Sequence, residues 1–320
     1  MCENRRWQDI VGLRTVDDLN AAIAAGHATE IINVTEAIQE RKIAKVAAQI
    51  KELGTRLVLL AGPSSSGKTT TARRLMVQLG AEGLWPISIS MDDYVLDREL
   101  TPRNARGEWD FECLEAVNVE LFNEQLNALL SGERVELPRF DFVSGHNVPS
   151  GRTVAMGPNN VLIVEGIHAL NPDLTPGIAP EEKFLLYVSA LTTIQLDGVH
   201  RISTSDNRLL RRLIRDSSYR GCPAETTLHR WASVRAGEER WIFPFQDHAD
   251  MMVNSALFYE FAVLRPHVEP LLQAVDAASP AYGEACRLLE LLAFFSPIPD
   301  DQIPLTSLLR EFLGGSTFTY

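Results

Sequence analysis

The sequence predicts an α/β fold of three layers, α/β/α, around a mainly parallel sheet, and two observations carry that expectation. Short apolar, β-branched runs recur at 56–61, 86–91, 161–164, 184–188 and 251–254, and helical patterns follow most of them. Strands alternating with helices are the pattern of parallel strands joined by crossovers, with both sheet faces covered. The first run then breaks into Gly62-Pro63-Ser64-Ser65-Ser66-Gly67-Lys68-Thr69-Thr70, and a helical stripe of Ala72, Leu75, Met76 and Leu79 follows.

Strand, glycine-bounded turn of the form G-x-x-x-x-G-K-T, and helix together define a P-loop, so the expected class is the P-loop NTPase fold. Such a turn wraps a polyphosphate because its backbone N–H groups point inward and the next helix presents its positive end. Glycine at both ends lets the backbone approach phosphate closely. Lys68 is expected on the β/γ-phosphates and the Thr69 hydroxyl on Mg²⁺, with ATP as the nucleotide held by the loop from Gly62 to Thr70.

The rest of the chain bounds this reading. Its 320 residues carry a net charge of −12, which disfavours a general nucleic-acid binder but leaves room for a local cationic pocket. No long apolar run suggests a membrane span, the start lacks a signal core, and Cys2, Cys113, Cys222 and Cys286 have no C-x-x-C spacing. A cytoplasmic protein is the expectation. Residues 1–54 read as an appended helical segment, 55–275 as the P-loop domain and 276–320 as a C-terminal helical extension. Within the first segment Gly54 is the expected stop of a helix striped by Ile38, Ile43, Val46 and Ile50.

Ligands in open α/β sheets bind beyond the carboxyl ends of the strands. Asp92, Asp93 and Tyr94 follow the second run, and Glu165 follows the run "NVLIV". A carboxylate there, beside a phosphate loop, holds Mg²⁺ or takes a proton from an attacking hydroxyl. Asp92 is the expected base, Thr69, Asp92 and Glu165 the expected metal set, and Asp93 a cap or supporting partner. In "NRLLRRLIRDSSYRG", Arg208, Arg211, Arg212 and Arg215 recur at helical spacing and Arg220 precedes a glycine. Guanidinium groups on a helical lid neutralise the charge that builds up on a transferring phosphoryl group; the bland alternative is a basic face paired with Asp206 and Asp216. The patches "GEWDFECLEAVN" and "LPRFDFVSGHN" offer aromatic walls with carboxylates, suited to a ring and sugar hydroxyls, although Trp109, Phe140 and Phe142 taken singly read as core.

With "GPSSSGKTT", "SMDDY", "WDFECLEAVN", "LPRFDFVSGHN", "VLIVEGIHAL", "RLLRRLIRD" and "HADMMVNSA" in order, the chain resembles the uridine kinase and phosphoribulokinase group of P-loop kinases from about residue 56 to 270. It is most similar to a bacterial nucleoside kinase subgroup that carries a threonyl-tRNA synthetase-like N-terminal region, and "WQDIVGLRTVDDLNAAI" resembles the tail of that region. The resemblance implies Asp92 as catalytic base, Asp110 on the ribose hydroxyls, and Phe140, Phe142 and Ile167 around the base. It implies Arg212 as a substrate-side arginine and Arg215 and Arg220 as lid residues on the phosphates. The chain also departs from that pattern. Gly145 stands where a base-reading histidine is expected, with His146 one place later; Cys222 and Arg230 replace an arginine and a glutamine of the substrate site. Losing groups built to recognise one base costs discrimination for that base.

The expectation is therefore an ATP- and Mg²⁺-dependent kinase acting on a hydroxyl of a small molecule, a nucleoside of uridine or cytidine type first, with catalytic roles for Asp92, Lys68, Arg215 and Arg220. A sugar-phosphate or polyol acceptor is the alternative that "EGIHAL" keeps open, and a non-catalytic nucleotide-binding regulator or RNA-associated protein is the third. No membrane partner is expected, and a homo-oligomer is compatible with the reading.

Overall fold

A computed structural model of the chain describes residues 12–103, 107, 109–141 and 144–319. Phe142 and the first part of the synthetase-like stretch lie outside the described residues.

Two helices, α1 (Val16–Ala24) and α2 (Ala28–Leu53), precede the first strand. Thr15 starts α1 with a reciprocal cap: its hydroxyl accepts from Asp18 N at 3.2 Å and Asp18 Oδ2 accepts from Thr15 N at 2.8 Å. α2 ends at Gly54, whose φ of 68° closes the helix in the left-handed conformation.

The sheet comprises β1 (Leu57–Ala61), β2 (Trp85–Ser90), β5 (Asn160–Glu165), β6 (Lys183–Ser189) and β7 (Met251–Asn254), in the order β2-β5-β1-β6-β7 with every pairing parallel. β1 is thus central, and side chains alternate across it. Val58 and Leu60 face α2 and α3 (Lys68–Ala81), with Val46, Ile50, Leu75 and Leu79. Leu57, Leu59 and Ala61 face α4 (Val119–Leu130), through Phe122, Leu126 and Leu129. Burial on both faces is why the strand reads as an unbroken apolar run.

The sequence reading did not assign the antiparallel hairpin β3 (Val135–Asp141) and β4 (His146–Val154), which holds the patch "LPRFDFVSGHN". Its turn needs Gly145 at φ 79°. A third hydrophobic core joins α1 and α2 to α5 (Thr204–Arg220), α6 (Ala224–Trp241), α7 (Glu260–Gln273), α8 (Tyr282–Ala293) and a last turn, α9 (Arg310–Leu313). The two ends of the described chain therefore share one core with the arginine helix. Among the described residues, no helix is long and apolar enough to cross a membrane.

Candidate active site

The loop between β1 and α3 is held from beneath. Gly62 passes so close to β6 that a Cβ there would stand 2.2 Å from the Val188 carbonyl oxygen. Gly67 adopts φ 83° as the N-cap of α3, and Ser65 takes the left-handed φ of 57° without being glycine. A non-glycine residue in that region is strained by about 1–3 kcal/mol and persists where the surroundings enforce it. The hydroxyls of Ser65 and Ser66 are buried without a hydrogen-bond partner.

Two of the five arginines of α5 do the enforcing. Arg208 pairs with buried Glu238 at 2.5 and 2.8 Å and donates to the Ser64 carbonyl at 3.1 Å, while Glu238 accepts from Ser64 N at 3.0 Å. Arg211 pairs with Glu260 at 2.5 Å and donates to the Ser65 carbonyl at 3.4 Å. These guanidiniums are neither lid groups nor a solvated face; they brace the loop from the core. Arg212, Arg215 and Arg220 instead share one buried carboxylate, Asp216, at 3.1, 3.2 and 3.6 Å. Three cations on one anion leave positive charge over. Arg212 also reaches the Ser64 hydroxyl at 2.9 Å, and burial, with Arg220 next in size, pushes the Arg215 pKa down.

The strand-end carboxylates converge where the topology puts them. β2 and β5 are paired neighbours, with Ser90 opposite Glu165. Glu165 Oε1 accepts from the Thr69 hydroxyl at 3.3 Å and the Ser90 hydroxyl at 3.4 Å. Burial raises the Glu165 pKa to about 7 against the opposing field of Lys68, with Asp92 and Glu311 raising it further. Burial pushes Lys68 down, and Glu165, Asp92 and Glu311 push it back toward its charged form. Lys68 donates to the Pro63 carbonyl at 3.2 Å. Asp92 is exposed, with its own N–H on the Ser90 hydroxyl at 3.3 Å. Lys68, Thr69, Asp92 and Glu165 thus form one electrostatic unit.

Among the described residues, no group of three or more His, Cys, Asp or Glu forms a cation cage. Hydroxyl and carboxylate oxygens converging beside a phosphate loop nevertheless fit Mg²⁺, which is bound through one or two carboxylates plus substrate phosphates rather than a full protein cage.

The expected acceptor-side residues stand on different elements. Arg212 lies at the loop. Asp110 caps a local turn, accepting from Glu112 N at 3.1 Å, and lines an open cavity of about 320 Å³ with Arg103, Glu115 and Arg240. Phe140 is buried, its N–H donating to Asp93 Oδ1 at 3.4 Å, which gives Asp93 its supporting role. Ile167 packs half-buried on the α4 side of the sheet. His146 lies at the hairpin turn, 3.7 Å from both Asp97 Oδ2 and Glu99 Oε2.

Three acidic residues of the site were missed. Glu112 packs against α6, where a Cβ on Gly237 would come within 2.7 Å of its own Cβ. Burial raises its pKa to about 7, offset by Arg212 and Lys68 and reinforced by Glu238 and Asp92. Its signal was its place in "WDFECLE", two residues after the chosen Asp110. Glu238 and Glu311 carry no local signal, being 174 and 241 residues from their loop partners.

The sequence pattern described as "Phosphoribulokinase / Uridine kinase family" matches residues 57–258. The chain belongs to this family. It is 30% identical over 200 residues to a uridine kinase of Staphylococcus epidermidis, covering 62% of this chain and 87% of that one. With a uridine kinase of Halobacterium salinarum it shares 29% over 195 residues, covering 61% and 77%. Among solved structures, one described as a possible uridine kinase from Bacillus stearothermophilus aligns at 20% identity and a TM-score of 0.45, covering 68% and 98%. A D-glycerate 3-kinase from Cryptococcus neoformans aligns at 15% and 0.31, covering 85% and 88%. As a member of the phosphoribulokinase and uridine kinase family, the chain is a small-molecule kinase, a phosphotransferase acting on a hydroxyl, and the family implies ATP as the phosphate donor.

The pKa shifts carry a prediction for the protein without ligands. Glu112 and Glu165 hold protons in the folded state up to about pH 7, against a normal value of 4.5. Between these limits the folded state binds more protons than the unfolded one, so both residues cost stability as pH rises through the window. Glu112→Gln is expected to raise Tm relative to wild type by more at about pH 8 than at about pH 5. Scanning calorimetry of both proteins checks it; a constant difference would show that Glu112 stays charged throughout.

Proposed function

We propose that the chain transfers the γ-phosphoryl group of ATP to the 5′-hydroxyl of a nucleoside of uridine or cytidine type. The observation that carries this reading is the exposed Asp92 carboxylate beside the Lys68–Thr69–Glu165 cluster, at the neighbouring ends of β2, β5 and β1. The relatives named uridine kinase support the acceptor class.

The loop amides and Lys68 hold the triphosphate, and Thr69 and Glu165, with Asp92 alongside, are the residues that would hold Mg²⁺. When bound, the ion neutralises charge on the β- and γ-phosphates. Asp92 takes the proton from the acceptor hydroxyl as its oxygen bonds to the γ-phosphorus. The bond to the bridging oxygen breaks and its electron pair leaves with ADP. Arg212, Arg215 and Arg220 offset the charge spreading over the non-bridging oxygens. Asp110, and Glu112 beside Arg212, are the carboxylates offered to acceptor hydroxyls, with Asp110 also holding the turn that presents Glu112.

The test is ATP consumption by the purified protein with a panel of nucleosides and sugar phosphates. Turnover with pyrimidine nucleosides supports the proposal. Turnover with a sugar phosphate alone reassigns the acceptor, an outcome consistent with Gly145, Cys222 and Arg230 standing at the departed positions. No turnover with any acceptor of the panel overturns the nucleoside proposal and favours the nucleotide-binding regulatory reading.

A further inference from the structure

The C-terminal segment reaches the P-loop, and one side chain on it lies where an anion belongs. Thr70 is the third residue of α3, and the first intrahelical bond runs from Thr71 N to the Gly67 carbonyl at 3.0 Å. The Thr70 N–H is therefore among the donors that a helix start directs at an anion. Glu311 Oε2 accepts from that N–H at 3.1 Å and from the Thr70 hydroxyl at 2.5 Å. Its charge acts on Lys68, Glu165 and Arg215, the groups that surround the phosphate place.

The backbone carrying Glu311 is firmly seated. Ser307 donates to Glu36 at 2.6 Å, Leu309 and Phe312 are fully buried, and the Arg211 guanidinium lies 5.5 Å over the Phe312 ring. Leu308 packs under the loop, so that a Cβ on Gly67 would stand 2.4 Å from its Cδ1. The Glu311 side chain itself is only half-buried. A rotamer change at Glu311 can break its bonds to Thr70 without moving the segment. Residue 311 also lies beyond the stretch 57–258 that matches the family, so the device belongs to this chain's own C-terminal extension.

We propose that Glu311 is an intramolecular occupant of the phosphate-binding place, which a nucleotide phosphate must displace from Thr70. The proposal rests on the reading that the loop binds ATP. Binding is then weakened by the fraction of molecules in which Glu311 has swung clear. The carboxylate keeps the helix start satisfied in the resting protein and sets the ATP concentration at which the kinase fills.

The experiment is titration of the full-length protein with a fluorescent N-methylanthraniloyl ATP, with and without Mg²⁺, for wild type, Glu311→Gln and Glu311→Ala. Glutamine keeps the shape and an acceptor for Thr70 while removing the charge, so it remains informative if the alanine variant unfolds. The expected result is about tenfold tighter binding in both variants, with or without Mg²⁺. The ratio persists at about 1 M salt, where the screening length is about 3 Å and a field acting from a distance is lost. Equal or weaker affinity in folded variants overturns the proposal, and a weakening seen only with Mg²⁺ makes Glu311 a metal-side residue instead. Absence of binding in folded wild type and both variants overturns the nucleotide reading itself, a result distinct from equal affinities.

Discussion

Replacing Asp92 with Asn lowers turnover by about 10²–10⁴-fold, the range for loss of a positioned general base. Asparagine keeps the backbone N–H bond to the Ser90 hydroxyl and the shape of the side chain, so the loop and Glu165 are undisturbed. What is lost is the acceptor for the hydroxyl proton and one negative charge beside Lys68. ATP affinity, measured by titration, is expected to stay within a few-fold of wild type, placing the loss in kcat. Near-normal turnover would remove Asp92 from the role of base. A large Mg²⁺-dependent loss of ATP affinity would place it on the metal instead.

The part of this site that the sequence makes legible is the part written locally. A buried parallel strand must be apolar on both faces, and a phosphate loop needs glycine at fixed places. β1, the loop and α3 could therefore be read from a contiguous stretch, and Asp92 and Glu165 followed as the residues after two strand runs. The hairpin β3–β4 escaped because β4 is mostly exposed and polar on both faces, leaving no period-two apolar signal, and β3 contains Pro138. The arginine stripe shows the limit differently. Arg208, Arg211, Arg212 and Arg215 share a helix face, and periodicity cannot say that Glu238 and Glu260 wait for the first two, although it offers Asp216, one turn on, to the others. Glu238 and Glu260 arrive from later elements through tertiary packing, as Glu311 does, whereas Asp216 lies on the arginine helix itself.

Breaking the Arg208–Glu238 pair is expected to give a large stability effect. Both side chains are almost completely buried, at 1% and 0% exposure. Glu238→Ala would leave the Arg208 guanidinium in the core without its carboxylate and take the acceptor from Ser64 N, and breaking one side of a buried pair costs about 3–5 kcal/mol. The alternative, that the pair contributes little because desolvation offsets attraction, is tested by the double variant Arg208→Met/Glu238→Met. Removing both charges leaves no uncompensated ion, so urea unfolding should show the double variant more stable than Glu238→Ala alone. Its nucleotide affinity should still fall, because the Ser64 carbonyl and N–H lose the bridge that fixes the loop. Stability and binding then separate: the single variant suffers in both, the double chiefly in binding. If the double variant bound ATP as wild type does, the pair would be structural filling beneath the loop rather than its brace, and the strained φ of Ser65 would have to be held by Arg211 and the contacts of β6 alone.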